Sequence, residues 1–155
     1  MLLHLLRHAD AVLPREIDGD RFLSDKGLKQ ARRVARFCEA HHLEFSLILS
    51  SPVRRAEETA QAVAKQLRVE MITAPWLACG MDPQTGLGEL EAFRDRPSLL
   101  LVGHEPDFSR FAAHLLGLGD GDQIRIRKAS LTGIDLDSGR AGAGKLQFSI
   151  PCRLM

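Results

Sequence analysis

The feature that most constrains the fold is an alternation of short apolar segments with longer segments of helical periodicity. Apolar runs at 2–6, 47–49, 69–73 and 99–102 have the length of buried strands. Between them, apolar residues recur at helical spacing over 24–41, 54–67 and 106–116. Strands that alternate with helices form mostly parallel sheets, so the pattern predicts an α/β domain. The length of 155 residues suits one domain over 1–155.

Turn and cap residues mark where these elements should begin and end. Ser24 is the predicted N-cap of the first helix, and Gly117 is the predicted stop of the last. Pro52 and Pro106 stand at strand-to-helix turns. Residues 12–22 are predicted to be a loop. Residues 76–97 stay open between a loop and a short helix near 89–94.

The region after Gly117 is predicted to hold two or three strands, near 124–127, 130–136 and 145–150. The last two are joined by a glycine-rich hairpin. Its residues 139–145 match the spacing of a phosphate-binding GxxxxGK loop, but Leu146 follows where a magnesium-binding Ser or Thr would stand. The segment after Lys145 also reads as a strand and not as the required helix, so the hairpin interpretation is favoured.

The overall composition excludes several functional classes. A formal net charge of +1 argues against a nucleic-acid binder held by bulk charge. No apolar run reaches the roughly 18 residues of a membrane span, and the N-terminus has no signal-peptide pattern. Cys38, Cys79 and Cys152 form neither a CxxC pair nor a metal-binding spacing, which indicates free thiols in a reducing compartment, the cytoplasm.

Three of the predicted strands end in residues whose side chains can bind a ligand or take part in catalysis. Arg7 and His8 follow the first strand, Ser50 to Arg55 the second, and Gly103 and His104 the fourth. Ligands of such sheets bind at the carboxyl ends of the strands, so these groups should meet. Arginines offer paired donors to phosphate oxygens, and histidine can act as a nucleophile or cationic donor. The set indicates phosphoryl transfer, and without carboxylates at ligand spacing a metal site is disfavoured.

Four segments in order resemble the signatures of the histidine phosphatase superfamily, which has the phosphoglycerate-mutase-like fold. They are LRHAD at 6–10, LSDKGLKQA at 23–31, SPVRRAEET at 51–59 and VGHEP at 102–106. Ala9 stands where the family usually has glycine. The short chain is closest to the SixA-type phosphohistidine phosphatases. The resemblance implies a three-layer α/β/α fold, in which helices flank a mostly parallel, mixed six-stranded sheet with one antiparallel strand.

The resemblance also implies the roles of the site residues. His8 would be the nucleophile that becomes phosphorylated. Arg7, Arg55 and His104 would complete the phosphate pocket, and Glu105 is assigned to substrate binding within the same motif. No metal or cofactor is required, because the pocket itself supplies positive charge.

Many members of the family place a carboxylic acid after the third strand to protonate the leaving group. Here 76–83 has no clear acid, and Asp82 and Glu89 remain open as candidates. Imidazole, whose conjugate acid has a pKa of about 6.5, leaves more easily than an alkoxide. This favours phosphohistidine in a partner protein, such as a histidine phosphotransfer domain, over small phosphate esters. A phosphatase of small esters and a non-catalytic phosphate-binding module stay as alternatives.

Several further polar residues receive structural or surface interpretations. His4, His41, His42 and His114 are predicted to be structural or exposed, and Pro52 and Thr59 to be structural. Arg54 should be solvated or at the substrate rim, and Asp10 should have a loop or rim role. The alternation of isoleucine with basic residues over 124–128 predicts a positive strand face that is solvated or contacts an acidic partner protein.

Overall fold

Six strands form one mixed sheet in the computed structural model, which describes residues 1–13, 21–119, 121, 123–137 and 139–155. The strands are β1 (Leu2–Arg7), β2 (Leu47–Ser50), β3 (Met71–Thr73), β4 (Ser98–Gly103), β5 (Leu131–Leu136) and β6 (Gly144–Ile150). The sheet order is β3-β2-β4-β1-β5-β6. β5 is antiparallel to its neighbours β1 and β6, and the other pairs are parallel. This confirms the predicted sheet.

The helices lie where cap and stop residues predict them, with one addition. They are α1 (Asp25–Ala40), α2 (Arg54–Leu67), α3 (Pro83–Glu89) and α4 (Asp107–Leu116). The Ser24 side chain caps α1 by accepting from the Gly27 N–H, and Gly117 ends α4 in the left-handed conformation, with a φ of 72°. Single 3₁₀ turns occupy Pro75–Leu77, Leu90–Phe93 and Cys152–Leu154.

Apolar residues on both faces of the sheet explain why its central strands are nearly continuous hydrophobic runs. Successive side chains of a strand point to opposite faces. Leu3 and Leu5 of β1 pack with α4 residues such as Phe108 and Phe111, whereas Leu6 packs with α1 and α2. Two layers of helices therefore cover the sheet, as the family resemblance implies.

Two sequence interpretations change in the structure. Helix α3 forms within the ambiguous segment, because Pro83 begins it and the Asp82 carboxylate caps it by accepting from the Thr85 N–H. The strand predicted near 124–127 is wrong: the segment is irregular. The Arg7 Nη1 group donates to the Ile126 carbonyl, and the Ala129 N–H donates to the Arg7 carbonyl. Contacts with the end of β1 therefore replace strand pairing.

The remaining connections follow the predictions where they are described. Strands β5 and β6 pair as a hairpin, and Lys145 pairs with Asp137 at the end where the connecting loop joins the strands, so the GxxxxGK match is not a phosphate loop. Most of the predicted loop at 12–22 lies outside the described residues. At its ends Ala11 and Leu23 form an antiparallel bridge. Within the described part of the chain, no helix is long and apolar enough to cross a membrane.

Candidate active site

The register of the parallel strands brings the three predicted strand ends together. Arg7 of β1 is paired with Gly103 of β4, so the next residues, His8 and His104, are neighbours. The His8 N–H donates to the Gly103 carbonyl over 3.0 Å. The Ser51 N–H donates to the Val102 carbonyl over 2.9 Å, which brings the start of the α2 segment to the same edge.

His8 is held as a neutral imidazole with a defined tautomer. Its Nδ1 lies 2.8 Å from the Ala9 carbonyl oxygen, which can only accept, so Nδ1 carries the hydrogen. Nε2 accepts from Arg55 Nε over 3.2 Å. Burial lowers the His8 pKa to about 3, and the charges of His104, Arg55 and Arg7 act in the same direction, against the hydrogen bond to Ala9. Nε2 therefore carries no proton and keeps the lone pair that a nucleophile uses.

His104 faces His8 across a short gap. The two ring centroids are 5.3 Å apart, with the planes at 52°. His104 Nε2 lies 2.8 Å from Ser51 Oγ, which also accepts from the Val53 N–H over 3.2 Å. The ring is thus oriented by the turn that opens α2.

The two arginines are anchored from different sides of the site. Arg55 is buried in the first turn of α2, and its Nη2 donates to Cys79 Sγ over 3.6 Å. Arg7 Nη1 donates to the Ile126 carbonyl over 3.0 Å, which fixes the guanidinium against the 124–128 segment. Both cations therefore lie beside His8 in fixed orientations, an arrangement suited to a phosphoryl group.

The loop after His8 is positioned by α1 and α2. Thr59 Oγ1 accepts from the Ala9 N–H over 3.1 Å and donates to the Arg55 carbonyl over 2.7 Å. The Asp10 N–H donates to Gln30 Oε1 over 2.8 Å. Thr59 therefore serves the structural role predicted for it, by linking the nucleophile loop to the helix that carries Arg55.

Glu105 lies beside Arg7 with its two carboxylate oxygens in different surroundings. Oε2 accepts from Ser109 Oγ over 2.7 Å. Oε1 is sealed from solvent and has no hydrogen-bond partner among the residues that the structure describes, and the same is true of Arg7 Nε. Burial raises the Glu105 pKa, and the Arg7 charge and the Ser109 hydrogen bond oppose that rise. Glu105 thus offers an unused acceptor next to the proposed phosphate pocket.

A cleft of about 710 Å³ adjoins this pocket through Arg7 and Glu105. Its walls come from α4 and from the irregular segment before β5. They carry the cationic or ionisable side chains of Arg110, His114 and Arg125. The sequence interpretation of His114 as structural or exposed missed its place on this wall, since helical spacing alone does not show which face borders a cleft.

The acid candidates and rim residues have separate environments. Asp82 is exposed and accepts from the Thr85 N–H and Oγ1, which lowers its pKa and suits a helix cap better than a proton donor. Glu89 is exposed at the end of α3. Asp10 pairs with Lys128 over 2.8 Å, and Arg54 lies over the Phe22 ring, 5.2 Å from its centroid.

Sequence reasoning did not single out Ser51 or Cys79 as contacts of the site residues. Ser51 belongs to a recognised motif, which could have indicated it, whereas Cys79 follows β3 in a segment with no such signal. Across the described ranges, no group of three or more His, Cys, Asp or Glu side chains could hold a metal ion.

Comparisons with known proteins agree with this geometry. The model of the histidine phosphatase superfamily (branch 1) matches residues 3–78. An uncharacterised protein of Picosynechococcus sp. is 32% identical over 95% of this chain and 89% of its own length. Phosphohistidine phosphatase SixA of Escherichia coli is 26% identical over 99% of this chain and 96% of its own. The structure of the protein histidine phosphatase SixA complexed with tungstate superposes with a TM-score of 0.89, at 25% identity and with 100% of both chains covered. The chain therefore belongs to the histidine phosphatase superfamily and is of the SixA type.

Proposed function

We propose that this protein is a metal-independent phosphatase that forms a phosphohistidine intermediate on His8 and dephosphorylates phosphohistidine in a partner protein. The observation that carries the proposal is the fixed neutral tautomer of His8, with Nδ1 on the Ala9 carbonyl and Nε2 facing Arg55. A pure phosphate binder would gain from a charged histidine, whereas a nucleophile needs the free electron pair.

In the first step, His8 Nε2 attacks phosphorus and the bond from phosphorus to the leaving group breaks with its electron pair. Arg7, Arg55 and His104 bind the oxygens of the group in flight, which spreads its charge over fixed donors. In the second step, water attacks the phosphorus of phospho-His8. Inorganic phosphate departs, and His8 returns to its neutral form with the hydrogen on Nδ1.

The proposed substrate class rests on three supports. The adjoining cleft leaves room for a protein segment that carries the phosphoryl group. The Asp82 carboxylate caps α3, and the hydrogen bonds from Thr85 lower its pKa, so it is poorly suited to donate a proton. Imidazole also needs less assistance to leave than an alkoxide. The similar protein SixA carries the names phosphohistidine phosphatase and protein histidine phosphatase. Cys38, Cys79 and Cys152 form no disulfide within the described residues, which suits a cytoplasmic location.

The test is a panel of substrates assayed with EDTA: a phosphorylated histidine phosphotransfer protein, phosphoramidate, an aryl phosphate and a sugar phosphate. Wild-type protein should act on the first two and form an acid-labile, radiolabelled phosphoenzyme. His8→Ala should lose both the label and at least about 1000-fold in turnover. His41→Ala, at the exposed histidine that follows the C-terminal end of α1, is the matched control and should behave as wild type.

Three results would contradict the proposal. Activity confined to metal-supplemented samples would exclude a metal-independent mechanism. A preference for the sugar phosphate that collapses in Asp82→Asn or Glu89→Gln would favour the small-ester phosphatase. An absence of turnover, with phosphate bound equally by wild type and His8→Ala, would favour a non-catalytic phosphate-binding module.

A further inference from the structure

The rate at which a phosphohistidine is cleaved depends on whether the leaving imidazole ring carries a proton. The ring nitrogen not bonded to phosphorus, called here the remote nitrogen, decides the quality of the leaving group. If it carries a proton, the ring departs as neutral imidazole; if not, it departs as a far more basic imidazolate anion. The favourable pKa of about 6.5 applies only to the first case. A phosphohistidine phosphatase therefore gains from a group that keeps this proton in place.

The nucleophile already has such a group. When His8 Nε2 bonds to phosphorus, its ring becomes cationic, and the Ala9 carbonyl 2.8 Å from Nδ1 stabilises the remote N–H. Transfer between two imidazoles is nearly symmetrical, because the bonds broken and formed are of the same kind. The substrate ring should then need an acceptor of its own on the opposite side of the phosphoryl group.

The structure offers a specific acceptor beside the pocket. Among the buried polar atoms that lack a partner in the described residues, Glu105 Oε1 is the carboxylate oxygen. Its other oxygen is held by Ser109, and the side chain lines the cleft that adjoins Arg7. The last torsion of glutamate is broad, so a small rotation can turn an oxygen to the cleft. An unpaired buried acceptor is costly, and a ligand donor would remove that cost.

We propose that Glu105 binds the leaving imidazole of the substrate by accepting a hydrogen bond from its remote N–H, which makes it a specificity-determining residue for phosphohistidine. The inference rests on the proposed function and extends it to the leaving-group side. His8 Nε2 forms its bond to phosphorus while the bond from phosphorus to the substrate nitrogen breaks, and that nitrogen keeps the electron pair. The substrate ring changes from a cation to neutral imidazole. Its proton stays on the remote nitrogen, hydrogen-bonded to Glu105, and the carboxylate keeps its charge.

The charged groups around Glu105 set the pH at which this contact works. Arg7 of β1 favours the carboxylate, and Asp107 of α4 opposes it. The cleft walls add three further groups that can carry positive charge: Arg110, His114 and Arg125. Ionised Glu105 raises the pKa of the bound substrate ring, so it extends turnover to higher pH. Without the carboxylate, the decline in phosphohistidine turnover with rising pH should begin at a lower pH.

The decisive test compares two probes, N-phosphoimidazole and its derivative methylated on the remote nitrogen. The methylated ring is a permanent cation without a remote N–H, so it leaves as neutral methylimidazole at any pH. In Glu105→Gln, kcat/KM for N-phosphoimidazole at pH 8 should fall about 10- to 100-fold more than for the methylated probe, the range of one hydrogen bond to a charged group. In the pH profile of Glu105→Gln with N-phosphoimidazole, the alkaline limb should also move to lower pH.

Two further variants complete the design. Ser109→Ala removes the hydroxyl that holds Oε2 and should change the ratio in the same direction by a smaller factor, which keeps the test valid if Glu105→Gln unfolds. Glu44→Gln, exposed before β2, is the charge-matched control and should leave both probes unaffected. Thermal unfolding of each variant checks the fold.

The outcomes separate this inference from the proposed function. Wild type that acts on neither probe nor on a phosphohistidine protein would remove the proposed function. Active wild type, with an equal loss on both probes in Glu105→Gln, would mean that Glu105 only positions Arg7, and the inference would be overturned. An unchanged alkaline limb together with an unchanged probe ratio would overturn it as well.

Discussion

Acid should destabilise this protein through a histidine remote from the proposed chemistry, His4. The ring lies in the interior of β1 with none of its surface exposed, edge-on to Phe45 at 4.8 Å between centroids. Nδ1 lies 3.3 Å from the Leu99 carbonyl oxygen. Burial lowers the His4 pKa from 6.5 to about 4, against the opposing hydrogen bond to Leu99.

The sign and size of the effect follow from proton linkage. The unfolded chain binds the proton more readily than the folded protein, so the contribution of neutral His4 to stability is complete above pH 6.5 and is lost as the pH falls toward about 4. Over that whole interval the loss is on the order of 3 kcal/mol, at about 1.4 kcal/mol per pH unit. His8, with a pKa of about 3, adds a loss of the same sign.

Urea unfolding followed by circular dichroism at half-unit steps from pH 7 to pH 5 measures the slope. Near pH 5, between the unfolded and folded pKa values, His4→Leu should reduce the dependence of unfolding free energy on pH by up to about 1.4 kcal/mol per unit, the effect of one proton, and by progressively less toward pH 7. Replacing the buried ring also changes the free energy of unfolding at pH 7. The readout is therefore the slope of that free energy with pH and not its absolute value. His41→Leu, on the surface, is the control. A slope in His4→Leu equal to that of wild type would refute the assignment of this proton to His4.

Two further substitutions test how helices α1 and α2 hold the nucleophile loop. In Gly27→Ala the new Cβ would lie 1.9 Å from the Asp10 carbonyl oxygen, so we expect a loss of about 1–3 kcal/mol in urea unfolding together with reduced turnover. Gly88→Ala is the control, because its new Cβ would meet no atom of the described part of the chain within 4 Å. Equal stability of the two variants would argue against this contact. Thr59→Val leaves the buried Ala9 N–H unpaired and should cost about 1–3 kcal/mol. Thr59→Ser should retain most of the stability, and a cost as large in Thr59→Ser would assign the effect to the lost methyl group.

The order of strands and helices could be predicted from the sequence because it depends on local patterns. Short apolar runs such as 99–102 can only be buried strands in this context, and Ser24 and Gly117 act through hydrogen bonds and backbone angles within a few residues of themselves. The sequence does not decide helix α3, because Gly86 and Gly88 weaken the helical signal. A single capping residue, Asp82, and packing against α4 decide the outcome there.

The grouping of Arg7, His8, Arg55 and His104 could also be predicted, since the carboxyl ends of parallel strands share one edge of the sheet. Sequence by itself thus determined the fold class, the family resemblance and the residues proposed for phosphate binding. Only the tertiary structure decided which carbonyl fixes the His8 tautomer and that 124–128 anchors Arg7 instead of forming a strand. It also decided that one Glu105 oxygen, beside an open cleft, has no partner within the described ranges. These properties depend on atoms contributed by residues as far apart as Arg7 and Ile126, and no local pattern in a sequence encodes such distances.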